Sequence, residues 1–230
     1  MKLVLFDIDG TILWSDGAGR RAMQRALMTA FGTSGSADYR YDGKTDRQIV
    51  RDLMRMEGQP DDLIDQRMQT LLADYVNGLH EELLSGETLI KRLDGVVELI
   101  DALERREDRR IGLLTGNIEV GAHAKLRAVG IDPERFIVSA YGSDHEIRGE
   151  LPGIAQRRAR EQLGLDVNGD AIIIIGDTPA DIDCTRAIGA RAIAVATGRY
   201  TVDELATHGP TAVFTDLTDT AAVMRAIDAA

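Results

Sequence analysis

Short apolar segments alternate with helical patterns along most of the chain. Most of these segments are continuous apolar runs, which is typical of strands that are covered on both faces of a sheet. Between them, apolar residues recur at the spacing of a helix. Alternation of this kind predicts right-handed crossovers and an open parallel α/β sheet. The predicted strands are Leu3–Phe6, Ile111–Leu114, Phe136–Val138, Ala171–Ile175, Ala192–Ala196 and Ala212–Phe214, and the predicted helices between them are Val96–Arg105, Glu119–Val129, Leu151–Leu163 and Ala180–Ile188.

Residues 15–91 break this alternation, because they contain no convincing pattern of a buried strand. Apolar residues in this stretch recur at helical spacing, which predicts a helical insert between the first strand and the rest of the sheet. We therefore expect a core domain of residues 1–14 and 92–230 and a smaller domain formed by the insert. The helices predicted in the insert are Ala18–Phe31, Ile49–Met56 and Leu63–Leu84.

The composition excludes several classes of protein. The chain of 230 residues has 27 basic and 38 acidic residues, which gives a formal net charge of −11. Such an excess argues against binding to nucleic acid or to anionic membrane surfaces, although solubility alone explains the acidity of many proteins. No apolar run is longer than that at residues 171–175, far short of a membrane span. Cys184 is the only cysteine, which excludes an intrachain disulfide, and the apolar run before Asp7 is too short for a signal peptide. We expect a cytoplasmic protein.

The first motif that could carry chemistry lies where the first strand ends. Asp7 and Asp9 follow the apolar run, and Gly10 and Thr11 then turn the chain. Ligand sites in open α/β sheets lie beyond the carboxyl ends of the strands, so both carboxylates stand where a site would form. Two carboxylates this close repel each other unless a divalent cation neutralises them or one of them holds a proton. The motif predicts an ionised nucleophile or ligand beside a general acid or base, with a solvated turn as the alternative.

Polar residues also follow two other predicted strands. Asp177 and Asp181 follow the apolar run that ends at residue 175, and their carboxylates could supply oxygen ligands to Mg²⁺. The alternative for this pair is a helix cap, with one acidic residue in the first turn. Thr115, Gly116 and Asn117 follow another strand, where a hydroxyl and backbone amides could bind phosphate or simply form a turn.

These residues together resemble the motifs of the haloacid dehalogenase superfamily, in particular its phosphatase-like members with an inserted helical cap domain. The segment Asp7–Thr11 is similar to the first motif of the family, and Thr115 is similar to the second. Arg148 is similar to the third motif, and Asp177 with Asp181 to the fourth. The third motif is commonly a lysine, so a neighbouring basic residue is the alternative to Arg148. The resemblance covers nearly the whole chain and implies a Rossmann-like α/β core with the insert as its cap.

The resemblance also implies a reaction and a cofactor. The protein would be an Mg²⁺-dependent phosphatase that works through an aspartyl-phosphate intermediate. Asp7 would attack phosphorus, while Asp9 would protonate the leaving alcohol and then help to activate water. The implied metal ligands are Asp7, the main-chain carbonyl of Asp9, Asp177 and Asp181, and the implied phosphate-binding residues are Thr115, Gly116, Asn117 and Arg148.

Asp9 favours cleavage of a phosphate ester, because family members that break other bonds typically lack an acid at this position. The expected substrate is a small phosphorylated metabolite, hydrolysed by a monomer or homodimer in the manner of a phosphoglycolate phosphatase. A sugar phosphomutase and a phospho-acceptor module without turnover are the alternatives. The predicted substrate contacts in the insert are Arg20, Lys44 and Arg47, which could equally be solvated surface charges.

Overall fold

The centre of the protein is a parallel sheet of six strands. The computed structural model describes residues 1–230. The strands are β1 (Lys2–Phe6), β2 (Leu13–Trp14), β3 (Lys91–Arg92), β4 (Arg109–Thr115), β5 (Ala140–Tyr141), β6 (Ile172–Gly176), β7 (Arg191–Val195) and β8 (Ala212–Phe214). The α-helices are α1 (Ala18–Phe31), α2 (Asp46–Met56), α3 (Asp61–Leu84), α4 (Val96–Glu104), α5 (Glu119–Ala128), α6 (Leu151–Leu163), α7 (Pro179–Asp183), α8 (Val202–Ala206) and α9 (Thr220–Ala229). None of these helices combines the length and the apolar composition that crossing a membrane requires.

The sheet has the order β5, β4, β1, β6, β7, β8, and every neighbouring pair is parallel. Alternate side chains of β1 enter two separate hydrophobic clusters. Val4 and Phe6 pack with residues of α4, α5 and α9 on one face, and Leu3 and Leu5 pack with residues of α6 on the other. Helices on both faces explain why the strands are continuous apolar runs. The predicted parallel α/β fold is therefore confirmed, and the carboxyl ends of β4, β1 and β6 lie side by side.

The strand predicted at Phe136–Val138 was wrong, because the strand in this region is β5, which begins at Ala140. The three residues run beside β4, and the N–H of Ile137 donates to the carbonyl of Ile111 over 3.1 Å. Parallel pairing with β4 begins only at Ala140. Phe136 and Val138 are buried, so the apolar run there reflects packing against the core and not strand pairing.

The helix predicted at Ala180–Ile188 is shorter than expected. It consists of α7, which is followed by a tighter 3₁₀ segment over Cys184–Ala187. Thr178 and Asp181 begin α7 as a capping box, in which each side chain accepts a hydrogen bond from the backbone N–H of the other. Cys184 is buried, as expected of a small apolar residue in this position.

The helices α1, α2 and α3 of the insert pack around a hydrophobic cluster of their own. One member of this cluster, Ile118, lies in the turn between β4 and α5, so the insert packs against the core next to the end of β4. The short strands β2 and β3 pair in an antiparallel hairpin where the chain enters and leaves the insert, and the sequence patterns did not predict this hairpin. The division into domains at residues 15 and 91 stays a prediction.

Candidate active site

Four buried charged side chains lie together where β1 and β6 end, and we call them the Asp7 cluster. Asp7 follows β1, Asp177 follows β6, and Asp181 lies in the first turn of α7. Carboxylate oxygens from these three residues all lie within 4.8 Å of one another. Arg148 donates a hydrogen bond to Asp181, and its Nη2 atom is 3.3 Å from Oδ1 of Asp7. The structure thus brings together four site residues that are far apart in the sequence.

The Asp7 cluster holds more negative than positive charge. Burial raises the pKa of Asp7 to about 6, where the Arg148 guanidinium opposes the shift and neighbouring carboxylates support it. Burial, together with the charges of Asp181 and Asp7, raises the pKa of Asp177 well above its ordinary value, although Arg148 opposes this shift. A divalent cation would supply the missing positive charge, and carboxylate oxygens are the ligands that Mg²⁺ prefers. The residues present therefore fit a magnesium ion.

Asp181 differs from the other two acids because both of its oxygens are already occupied. Oδ1 accepts a hydrogen bond from Arg148, and Oδ2 accepts from the N–H of Thr178 over 3.0 Å and from its hydroxyl over 2.6 Å. The side chain of Asp177, in contrast, accepts only one long hydrogen bond, 3.4 Å from the Thr11 hydroxyl. This geometry suits Asp7 and Asp177 as direct ligands, while Asp181 orients the groups around them.

Asp177 reaches the first motif because residue 10 is a glycine. Gly10 has a φ of +80°, a conformation that L side chains rarely adopt. A Cβ atom at this position would lie only 2.3 Å from Oδ2 of Asp177. The same glycine therefore allows the turn after β1 and the close approach of the acid from β6.

Asp9 belongs to a second group, the Asp9 cluster, which it forms with Asn117 and Lys125. The Nζ atom of Lys125 donates to Oδ2 of Asp9 over 2.6 Å and to Oδ1 of Asn117 over 2.7 Å. The Nδ2 atom of Asn117 donates to the same Oδ2 of Asp9 over 2.8 Å, and the Ser15 hydroxyl donates to Oδ1 of Asp9 over 3.2 Å. Burial would raise the pKa of Asp9, but the charge of Lys125 and these hydrogen bonds bring it below its ordinary value. Asp9 is therefore ionised at neutral pH.

Lys125 is a residue of the site that the sequence reasoning missed. It lies on α5, and its side chain is only 4% exposed. Ile118, Ala122, Lys125 and Leu126 are all buried and are spaced as one face of a helix, so a lysine stands where the pattern requires an apolar residue. A buried ammonium group needs polar partners, which makes a lysine on an apolar face a signal for a functional cluster.

The turn after β4 places a threonine hydroxyl in the site. The Oγ1 atom of Thr115 accepts hydrogen bonds from the N–H of Asn117 over 3.3 Å and from its Nδ2 over 2.8 Å. A hydroxyl that accepts two hydrogen bonds still has its own hydrogen to donate. Thr115 and Gly116 line the same cavity as Asp7, so this hydrogen is available to an oxygen of a bound phosphate.

The insert closes over this turn through Thr45 and Asp46. The N–H of Asp46 donates to the carbonyl of Gly116 over 2.8 Å, and the N–H of Ile118 donates to Oδ2 of Asp46 over 2.8 Å. The Thr45 hydroxyl donates to the carbonyl of Glu146 over 2.6 Å. Asp46 is buried, and this burial raises its pKa to about 6 although Lys125 opposes the shift. Asp46 was not predicted as a site residue.

The three basic residues predicted in the insert occupy different environments. Arg20 lines the cavity, stacks over the ring of Tyr41 at 4.0 Å and donates to the carbonyls of Ala37 over 3.3 Å and Tyr39 over 2.7 Å, with no carboxylate within salt-bridge distance. Lys44 also lines the cavity, but its Nζ atom is 3.3 Å from a carboxylate oxygen of Asp52. Arg47 is not among the residues that line the cavity. Arg20 is thus the one of the three that lines the cavity without a carboxylate to neutralise its charge.

Asp7, Asp9, Lys125 and Arg148 line one cavity, which the insert covers and whose volume is about 210 Å³. Pockets for drug-sized ligands measure about 300–1,000 Å³, so this cavity suits a smaller molecule. Paired aspartates after β1 and a buried acidic cluster at the end of a parallel sheet define a hydrolase of the haloacid dehalogenase type.

Comparison with known families supports this class. The profile of the haloacid dehalogenase-like hydrolases matches residues 4–186, so the chain belongs to this family. Within it, the chain is similar to a phosphoglycolate phosphatase. It is 27% identical over 220 residues to the phosphoglycolate phosphatase of Rhodospirillum rubrum, covering 94% of this chain and 87% of that protein.

Solved structures show the same fold along nearly the whole chain. A hydrolase from Pseudomonas syringae superposes with a TM-score of 0.74 at 22% identity, and 98% of each chain is covered. CbbY from Rhodobacter sphaeroides, solved in complex with phosphate, superposes with a TM-score of 0.68 at 21% identity, covering 95% of this chain and 96% of CbbY.

Proposed function

We propose that this protein is an Mg²⁺-dependent phosphatase that hydrolyses a small phosphorylated metabolite through an aspartyl-phosphate intermediate. The observation that carries the proposal is the contrast between Asp7 and Asp9. Asp7 lies among buried carboxylates that need a cation, whereas Asp9 is held by Lys125 and Asn117. Neighbouring acids whose environments differ in this way divide the roles of nucleophile and acid–base group.

The metal would be held by Asp7, the main-chain carbonyl of Asp9 and Asp177, and Asp181, which Arg148 and Thr178 fix in place, would support these ligands. When bound, Mg²⁺ would neutralise the Asp7 cluster and withdraw charge from the phosphoryl group. Carboxylates with raised pKa values beside one guanidinium support this assignment.

In the first step, a carboxylate oxygen of Asp7 attacks phosphorus, and the bond from phosphorus to the ester oxygen breaks. The electron pair of that bond goes to the leaving oxygen, which takes a proton from Asp9. In the second step, Asp9 takes a proton from water as the water oxygen attacks phosphorus. Phosphate leaves, and the Asp7 carboxylate is restored.

Asp9 must be protonated when the leaving group departs, although it is ionised in the free protein. A negatively charged phosphoryl group beside Asp9 disfavours the ionised form, so binding of substrate raises the pKa of this carboxyl. The hydroxyl of Thr115 and the guanidinium of Arg148 are placed to hold phosphoryl oxygens, with Gly116 and Asn117 in the same turn.

A small anionic metabolite suits this cavity, because Arg20 lines it and is not paired with a carboxylate. The relative from Rhodospirillum rubrum is named for phosphoglycolate, and CbbY is solved with phosphate and with xylulose-1,5-bisphosphate. Lys44 and Arg47 stay predicted contacts, as do the cytoplasmic location and the state of monomer or homodimer.

The direct test is a panel of phosphorylated metabolites with and without Mg²⁺, scored for released phosphate. We expect Mg²⁺-dependent release from at least one small phosphomonoester. A stable phosphoprotein without turnover would favour the phospho-acceptor alternative, and isomerisation of a sugar phosphate without release would favour a mutase. Release from no member of the panel would contradict the proposal.

The role of Arg20 has a matched control on the same helix. The substitution Arg20→Ala should raise KM about tenfold or more for a phosphate ester that carries a carboxylate, because a charge-assisted contact is lost. Arg21→Ala removes an exposed arginine of α1 that is paired with Glu82, and KM should not change. Equal KM values for wild type and Arg20→Ala would remove Arg20 from the substrate site.

A further inference from the structure

Lys125 is buried, and its ammonium group donates hydrogen bonds to two side chains of the site. Its side chain is 4% exposed, and its Nζ atom lies 2.6 Å from Oδ2 of Asp9 and 2.7 Å from Oδ1 of Asn117. An ammonium group has only donors, so the amide oxygen of Asn117 must face Lys125. The Nδ2 atom of Asn117 then faces Asp9 and Thr115, and the four side chains form one connected network.

The two oxygens of Asp9 are not equivalent in this network. Oδ2 accepts two hydrogen bonds, from Lys125 and Asn117, whereas Oδ1 accepts one, from the Ser15 hydroxyl at 3.2 Å. An oxygen that already accepts from a lysine and an amide has little capacity to carry a proton as well. A serine hydroxyl can reverse its role and accept from a protonated Oδ1.

We propose that Lys125 is a positioning residue, which together with Asn117 holds Oδ2 of Asp9 so that Oδ1 exchanges the proton with the leaving oxygen and with water. This inference rests on the proposed phosphatase function. The proton balance is unchanged, because Lys125 keeps its own protons and acts only through the orientation of Asp9. The charge of the lysine matters because a charge-assisted hydrogen bond holds a carboxylate more firmly than a neutral one.

The test uses two substrates that differ in their need for a proton donor. Glycerol 2-phosphate has a poor alkoxide leaving group, whereas p-nitrophenyl phosphate has a good one that departs with little help. The substitution Lys125→Met should lower kcat for glycerol 2-phosphate by about 10²-fold and for p-nitrophenyl phosphate by less than about tenfold. Lys125→Arg, which keeps a charged donor at this position, should recover part of the loss on the alkyl ester.

A matched control removes a buried cation elsewhere. Arg109 lies at the start of β4, is buried, and pairs with Asp108 and Asp228. Arg109→Met should lower Tm and leave the ratio of the two kcat values unchanged. If Lys125→Met does not fold, Lys125→Gln, which keeps a neutral donor at this position, should give the same selective loss on glycerol 2-phosphate.

The outcomes separate this inference from the proposed function. If Lys125→Met, or Lys125→Gln in its place, lowers both kcat values by the same factor, the role is merely structural and the inference is wrong. If the wild type releases phosphate from neither ester nor from any metabolite, the proposed function fails, and the inference fails with it. A selective loss on the alkyl ester with partial recovery in Lys125→Arg supports the inference.

Discussion

Asp7 and Asp9 are two residues apart in the chain, but their surroundings shift their pKa values in opposite directions. Asp7 shares a buried space with two further carboxylates and one guanidinium, and its pKa is raised to about 6. Asp9 shares its space with Lys125 and Asn117, and its pKa is lowered. The Asp7 cluster has one cation against three carboxylates, while Lys125 balances the single carboxylate of the Asp9 cluster.

This difference explains how one short motif can supply two kinds of chemistry. Successive side chains after a strand can face different neighbours, so the neighbouring elements decide the protonation of each acid. The Asp7 cluster depends on an external cation, because only Arg148 offsets its charge. The Asp9 cluster needs no metal to be stable, because α5 supplies Lys125. Substitutions in the two clusters should therefore separate metal binding from proton transfer.

The largest effect is expected from Asp7→Asn, which removes the nucleophile. Turnover should fall by at least about 10⁴-fold, and no phosphoprotein should form, because the amide cannot attack phosphorus. The Tm of the metal-free protein should not fall, since one charge leaves a group of crowded carboxylates. Phosphate release and mass spectrometry of the protein test this prediction. Turnover within tenfold of wild type would assign the nucleophile to another residue.

The next effect is expected from Asp9→Ala, which should lower turnover of an alkyl phosphate by about 10²–10⁴-fold. The rise in Tm on addition of Mg²⁺ should survive in Asp9→Ala, because only the main-chain carbonyl of this residue is assigned to the metal. The same rise should shrink in Asp7→Asn and Asp177→Asn. If the response to Mg²⁺ disappears in Asp9→Ala, the two clusters are not electrostatically separate.

The sequence predicted the Asp7 cluster better than the Asp9 cluster, for a physical reason. Asp7 and Asp177 follow buried strands, and the ends of parallel strands must meet at one edge of the sheet. Arg148 was predicted with a neighbouring basic residue as the alternative, and the structure places Arg148 itself in the Asp7 cluster. The positions of residues that directly follow a strand of the sheet can therefore be predicted from the sequence pattern.

Lys125 and Asp46 were missed because their positions depend on how helices and the insert pack. The side chain of Lys125 faces the site only because of how α5 is rotated about its axis. Asp46 comes to the site only because the insert packs over Gly116 and Ile118. The strand predicted at Phe136–Val138 failed for a related reason, since its apolar residues are buried without pairing in the sheet. Apart from the lysine on the apolar face of α5, these tertiary contacts leave little periodic trace in the sequence.

A smaller effect, of about tenfold, is expected in the pH dependence of Mg²⁺ binding. The pKa of Asp7 is raised to about 6, so below that pH the ion must displace a proton from the Asp7 cluster. Affinity for Mg²⁺ should therefore fall by at least about tenfold for each pH unit below pH 6. Titration calorimetry at about pH 5 and about pH 7 tests this expectation. Equal affinities would mean that Asp7 is already ionised at the lower pH.

The smallest effect concerns Asp46, a further carboxylate close to Lys125. A substitution of Asp46 tests whether the charge of Lys125 is fully used by Asp9. Burial raises the pKa of Asp46 to about 6, so its contribution to stability is greatest below about pH 4 and is lost as pH rises through about pH 6. Asp46→Asn has no such proton to lose, and its amide oxygen can still accept from the N–H of Ile118. The Tm of Asp46→Asn relative to wild type should therefore increase by about 5 °C between about pH 4 and about pH 7. A Tm difference that is constant with pH would show that Lys125 already neutralises Asp46 along with Asp9, and the contrast between the two clusters would then be larger than the pKa values indicate.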